Sequence, residues 1–263
     1  MRTALLALLG IPCTVFFTLA ALGGGLFGAS RTYFDWVHRS WAKSMLWMAG
    51  VRVEADGLEN LPANEPVILA VNHQSWIDIL VLLASLPVSL RFIAKKEIRR
   101  VPVFASAMAL AGHVFVDRQK RGKAIVAMRE AAARMQEHGL SMAIFPEGTR
   151  SPDGRLLPFK KGGFVLAIEI AATLVPIAMD GGRLIMPKST FAVRAGRVRL
   201  RCAKAIRFTG PEKDDRDDAL EHVRDRIAGM LEEIRVNTKV ARSHRGSQGD
   251  RAVPSSGGDR QGS

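Results

Sequence analysis

Apolar and polar positions divide the chain into zones of different period. Residues 3–30 carry no charged side chain, an apolar length sufficient to cross a bilayer. Pro12 and Gly23–Gly25 interrupt that run, so a kinked or half-inserted hairpin competes with a straight span. A cleaved signal peptide would need more positive charge than Arg2 alone and a small-residue cleavage site, so the segment reads as a retained anchor. Residues 31–50 then alternate Trp36, Trp41 and Trp47 with Arg31, Arg39 and Lys43. On a helix Trp36 and Trp47 share a face, the pattern of a helix lying at a headgroup boundary; a helix packed on the domain with its tryptophans in the core is the alternative.

From residue 51 short apolar runs alternate with helical periodicity. Strands are predicted at 67–72, 91–94, 113–117, 141–146, 174–179 and 197–208, and helices near 77–85, 102–110, 121–138 and 162–172. In the third helix Ile125, Met128, Ala132 and Met135 recur on one face, and Gly139 supplies the stop. This alternation predicts an α/β fold, a mixed, largely parallel sheet flanked by helices, with the N-terminal membrane-associated helical element in front. A closing helix is expected at 212–236, acidic in its first turn. The domain plan is therefore anchor and interfacial helix at 1–50, α/β domain at 51–240, and a Ser-, Gly- and Arg-rich tail at 241–263 expected to be disordered.

Charge changes the picture by naming a kind of partner. A net charge of +13 calls for an anion: nucleic acid, a phospholipid surface or a phosphorylated substrate. Residues 183–207 hold eight Lys or Arg and no acid, which beside a membrane anchor suits an anionic leaflet. Low aromatic content (6%) and the lack of a nucleic-acid motif count against nucleic acid. Two cysteines, Cys13 and Cys202, give neither a disulfide framework nor a C-x-x-C metal pair, and no metal is expected.

Candidate chemistry lies where strands end. "NHQSWID", residues 72–78, follows the apolar run at 67–71. Ser75 and Asp78 fit a capping box, which leaves Asn72 and His73 unexplained. A turn between strand and helix would fold Asp78 onto His73, so that Asp78 accepts from Nδ1–H and Nε2 is free as a base. That orientation lacks a protein nucleophile, so the substrate must bring its own hydroxyl. In "FPEGTRSPDGRLLPFKKGG", residues 145–163, Glu147 and Arg150 flank a Gly-Thr turn, Arg150, Lys160 and Lys161 offer charge for a phosphate, and Gly162–Gly163 opens a helix. "GHVFVDR", residues 112–118, sets Asp117 and Arg118 at a strand end.

Taken together, these stretches resemble the blocks of the glycerophospholipid acyltransferase family, its bacterial 1-acylglycerol-3-phosphate members above all. "NHQSWID", "GHVFVDR", "FPEGTRS" and "VPIA" (175–178) stand in the family's order, and "FIAKKEI" before the second resembles its A-K-x-E-L stretch. The resemblance covers roughly residues 50–210. It implies transfer of a fatty acyl group from acyl-CoA or acyl-carrier protein to lysophosphatidic acid, giving phosphatidic acid, with no cofactor beyond the acyl donor. His73 would be the base and Asp78 its orienting partner. Lys95 and Arg118 would hold the phosphate, and Glu147, Gly148, Thr149 and Arg150 would shape the acceptor site. It also implies work among membrane phospholipids, on the cytoplasmic face of a bacterial inner membrane. Another lysolipid acceptor would leave the blocks unchanged, and a non-catalytic basic membrane-binding protein is the reading from a different class.

Overall fold

The computed structural model describes residues 2–117, 121–209 and 216–249. The first uncharged zone is one helix, α1 (Arg2–Leu26), π-helical over Leu6–Gly10 just before Pro12. Helix α2 (Arg31–Ala49) returns antiparallel to it, capped by the Ser30 side chain, which accepts from the Tyr33 N–H. Cross-links place the pair in register: Arg2 donates to the Met48 carbonyl, Trp41 Nε1 to Thr14 Oγ1 at 3.1 Å, and Tyr33 Oη to the Ala20 carbonyl at 2.9 Å. Both ends of α1 are held by the rest of the chain. Thr3 Oγ1 accepts from the Val193 N–H at 2.9 Å, and Ala21 packs with Phe34 and Ala107 at the other end. Outward from this hairpin stand Leu8, Ile11, Phe16, Leu19, Leu26 and Phe27, with Trp36 at 56% and Trp47 at 76% exposure. Trp41 turns inward instead, as a helix packed on the domain would place it.

Among the described residues eight strands make one mixed sheet. Its order is β1 (Val51–Asp56), β7 (Gly196–Cys202), β6 (Thr173–Asp180), β2 (Val67–Val71), β5 (Ser141–Ile144), β3 (Leu90–Lys95) and β4 (Val114–Val116), with β8 (Ile206–Arg207) also on β6. β6, β2, β5, β3 and β4 run parallel, whereas β7 and β8 meet β6 antiparallel. The single strand expected at 197–208 is thus two, parted at Ala203. There the Ala203 N–H bonds the carbonyl of Pro176, a residue with no N–H to give to a ladder. β1, half-buried to exposed along its length, has no apolar run to announce it.

Five buried residues of β2 show how the core is divided. Ile68 and Ala70 face one side, Val67, Leu69 and Val71 the other, all fully buried, the period-two alternation of a strand covered on both faces. One face is covered by α5 (Arg121–His138), α6 (Gly162–Glu169) and α8 (Arg216–Gly249). The other is covered by α2 and α3 (Ile77–Ser85), while α4 (Pro102–Leu110) packs on the hairpin. Arg91 of β3, 1% exposed, ties sheet to hairpin through a 2.6 Å ion pair with Asp35 of α2. α8 continues to Gly249, past position 240 where the sequence suggests a tail; residues 250–263 lie outside those described.

Candidate active site

Because β2, β3, β5 and β6 are parallel neighbours, their carboxyl ends emerge on one edge of the sheet, where α/β folds collect functional loops. β2 delivers residues 72–78, β5 delivers 145–151, β3 ends at Lys95, and β6 runs into Asp180–Gly182. Asn72 fixes the first of these. Its amide donates to the Met179 carbonyl at 2.9 Å and accepts from the Met179 N–H at 2.7 Å, extending the β2–β6 pairing by one side chain. That accounts for the asparagine which capping alone left unexplained.

The next turn folds Asp78 back onto His73 as expected. Asp78, 1% exposed, accepts at Oδ2 from His73 Nδ1 at 2.9 Å, from the Gln74 N–H at 2.7 Å and from the Ser75 N–H at 2.8 Å. Capping and orientation are therefore one device: the carboxylate that closes the α3 N-terminus also selects the histidine tautomer. Ser75 Oγ accepts from the Ile77 N–H and donates to the Met186 carbonyl. The His73 ring stacks on Phe145, centroids 4.0 Å apart, and Nε2 has no hydrogen-bond partner among the described residues.

Glu147 occupies a place the sequence does not suggest. Expected to shape the acceptor site, it is 3% exposed and turned beneath the loop, absent from the cavity wall. Its Oε1 accepts from the His73 N–H at 2.6 Å and its Oε2 from the Leu157 N–H at 2.9 Å. With the Ser151 N–H on the His73 carbonyl at 2.7 Å, both backbone groups of the histidine are clamped by the second loop. Burial lifts the Glu147 carboxyl from 4.5 to about 7, against the pull of the Leu157 and His73 N–H groups. The folded protein thus holds this proton more tightly than the unfolded chain. The associated stability is full below about pH 4.5 and is lost as pH rises toward about 7. Thermal melts across that window should show wild type losing on the order of 3 kcal/mol relative to Glu147→Gln, which cannot titrate. A gap independent of pH would refute the assignment.

A cavity of about 800 Å³ opens at His73 and runs between the α1–α2 hairpin and the domain. Phe17, Val37, Leu80, Phe92 and Ala107 are among the apolar side chains of its wall. His113, from the "GHVFVDR" stretch, also faces it. The His113 Nδ1 accepts from the Phe92 N–H at 3.1 Å, and burial first of all keeps this imidazole well below its usual range, hence neutral. At the mouth stand Lys95, Gly148, Thr149 and Arg150, with the Arg150 guanidinium 5.1 Å above the Trp76 ring. Gly148 has φ +71°, and a Cβ there would meet the end of the Lys160 side chain. The remaining expected phosphate groups do not gather here. Lys161 pairs with Asp217 of α8 at 2.6 Å, and neither Lys160, Lys161 nor the α6 N-terminus lines the cavity. Arg118 lies outside the described residues. One cation at the mouth was not anticipated, Lys188, whose Nζ donates to Thr149 Oγ1 and the Arg150 carbonyl. Only its place in the acid-free stretch 183–207 hinted at it.

Known proteins resemble this chain in sequence and in fold. Residues 52–180 match the family model described as Acyltransferase. A 1-acyl-sn-glycerol-3-phosphate acyltransferase of Saccharomyces cerevisiae is 32% identical over 89% of this chain and 78% of that protein. The alpha form from Ovis aries is 33% identical over 72% of this chain, a match that spans 66% of its own length. The crystal structure of the 1-acyl-sn-glycerophosphate (LPA) acyltransferase PlsC from Thermotoga maritima superposes with a TM-score of 0.75 at 24% identity, covering 88% of this chain and 95% of that one. With the histidine, its carboxylate and the loop that clamps them all inside the matched region, the chain belongs to the 1-acyl-sn-glycerol-3-phosphate acyltransferase family.

Proposed function

We propose that the protein transfers a fatty acyl group from acyl-CoA or acyl-carrier protein to the sn-2 hydroxyl of 1-acylglycerol-3-phosphate, forming phosphatidic acid. The observation that carries this reading is a histidine with Nδ1 held by Asp78 and Nε2 open to an apolar cavity that has cations at its mouth. His73 Nε2 takes the proton of the acceptor hydroxyl as its oxygen bonds to the thioester carbonyl carbon. The tetrahedral adduct then expels the thiolate, and the proton on His73 passes to the departing sulfur. A thiol with pKa of about 8.5 leaves readily, so one base with charge stabilisation suffices. Lys95, Arg150 and Arg118 bind the acceptor phosphate in this scheme, and the cavity, of a size usual for ligand sites, takes an acyl chain. The assay is purified protein with both thioester donors and a panel of lysolipids. Acylation of lysophosphatidic acid above all others supports the reading; preference for another lysolipid, or no transfer, overturns it.

The hairpin gives the membrane seat. An α1 tethered at both ends lies in the plane of the interface, with Phe16, Leu19, Trp36 and Trp47 toward lipid, instead of projecting across it. In this reading the domain faces the cytoplasm of a bacterial inner membrane, where thioester donors are found. A cysteine placed at position 2 should react with an impermeant reagent only from the cytoplasmic side; labelling from outside would show a full span.

A further inference from the structure

Past the short helix α7 (Gly182–Ile185), residues 186–195 form a strap bonded to both site loops and to the start of α1. Met186 takes the hydroxyl of Ser75 in the first loop at 2.8 Å. Lys188 reaches Thr149 Oγ1 at 3.1 Å and the Arg150 carbonyl at 2.9 Å in the second. Val193 is bound to Thr3 at the start of α1. A neutral amide could fasten Thr149 and Arg150 as well as an ammonium can, so fastening does not explain the charge. Both partners of Lys188 are neutral oxygens, and an ammonium has three N–H groups, leaving one to donate. Among the described residues neither Lys188 nor Arg150 has a carboxylate within salt-bridge reach, and Lys95 has only Glu97, at 3.9 Å. These three side chains line the same cavity as His73.

On the reading given under Proposed function, we infer that Lys188 is a further substrate-binding residue, whose third N–H binds the phosphate monoester of the acceptor beside Arg150. It recognises a dianionic headgroup and leaves the thioester donor to other groups. The ammonium also fixes the height of the Thr149–Arg150 loop above the cavity, so binding and loop order are coupled through one atom.

Three variants separate charge from fastening: Lys188→Gln keeps a donor and removes the charge, Lys188→Arg keeps the charge, and Lys188→Ala removes both. An exposed side chain leaves folding intact, which matched melting temperatures would verify. With lysophosphatidic acid as the varied substrate, Lys188→Gln should raise the acceptor KM on the order of tenfold and leave the donor KM unchanged. Lys188→Arg should stay within about threefold of wild type, and added salt should raise the acceptor KM more steeply in wild type than in Lys188→Gln. An unchanged acceptor KM in Lys188→Gln overturns the inference, and a defect confined to Lys188→Ala, with Gln and Arg both like wild type, is the mark of a fastener alone and overturns it too. Wild type that fails to acylate lysophosphatidic acid would instead overturn the underlying functional reading, before any variant is compared.

Discussion

Replacing His73 by alanine should reduce acyl transfer by about 10²–10⁴-fold, the range over which a positioned general base contributes. The fold should tolerate the change. The His73 N–H to Glu147 and the His73 carbonyl to Ser151 are backbone bonds that alanine keeps, and the ring lies against Phe145 rather than deep in the core. Asp78→Asn should cost less. Its amide oxygen can stand where Oδ2 accepts three N–H groups, so orientation is largely retained while the charge that stabilises an imidazolium is lost. Single-turnover rates with saturating donor would isolate the chemical step. Near-wild-type turnover by a folded His73→Ala protein would end the mechanism.

Those two residues were legible in the sequence because the interactions that define them are local. His73 and Asp78 are five positions apart, and the strand before them and helix after them each announce themselves by period. The sheet core was legible for the same reason, since five consecutive apolar residues of β2 can only be buried on both faces. What the sequence hid depends on partners far along the chain. Asn72 is explained by Met179, 107 residues away, and Glu147 by the His73 N–H, 74 residues away. Nothing in a polar turn says whether its glutamate faces substrate or backbone. Strand β1 hid because its partner β7 supplies the pairing while its own side chains stay half exposed. The hydrophobic run of α1 gave length and composition but not direction, which is set by Thr3, Thr14 and Ala20 meeting residues elsewhere.

Gly182→Ala should lower kcat by about a hundredfold with little change in either KM. All three donors on Asp78 converge on Oδ2, and the other oxygen, Oδ1, is buried against the backbone of Gly182 with no hydrogen-bond partner among the described residues. A Cβ at position 182 would stand 2.5 Å from Oδ1 and 3.1 Å from the Ser75 Cβ, so something must move. The short helix α7 cannot retreat. Gly181 before it has φ +105° and so little room that its own Cβ would meet the Arg197 carbonyl of β7 at 2.2 Å. The carboxylate therefore yields, drawing Oδ2 away from His73 Nδ1 and releasing the tautomer that leaves Nε2 free as the base. Loss of an orienting hydrogen bond, with the base still present, sets the effect near the lower end of general-base contributions. Because the base is misdirected rather than absent, the Nδ1–H resonance of His73 in a proton NMR spectrum should shift or vanish while the melting temperature stays high enough to measure turnover. Gly229→Ala, in the middle of α8 where a Cβ meets nothing within 4 Å, is the matched control. It should leave kcat unchanged and add about 0.5–1 kcal/mol of stability. If Gly182→Ala and Gly229→Ala turn over at the same rate, Asp78 has room to spare, and its single-oxygen arrangement has no bearing on catalysis.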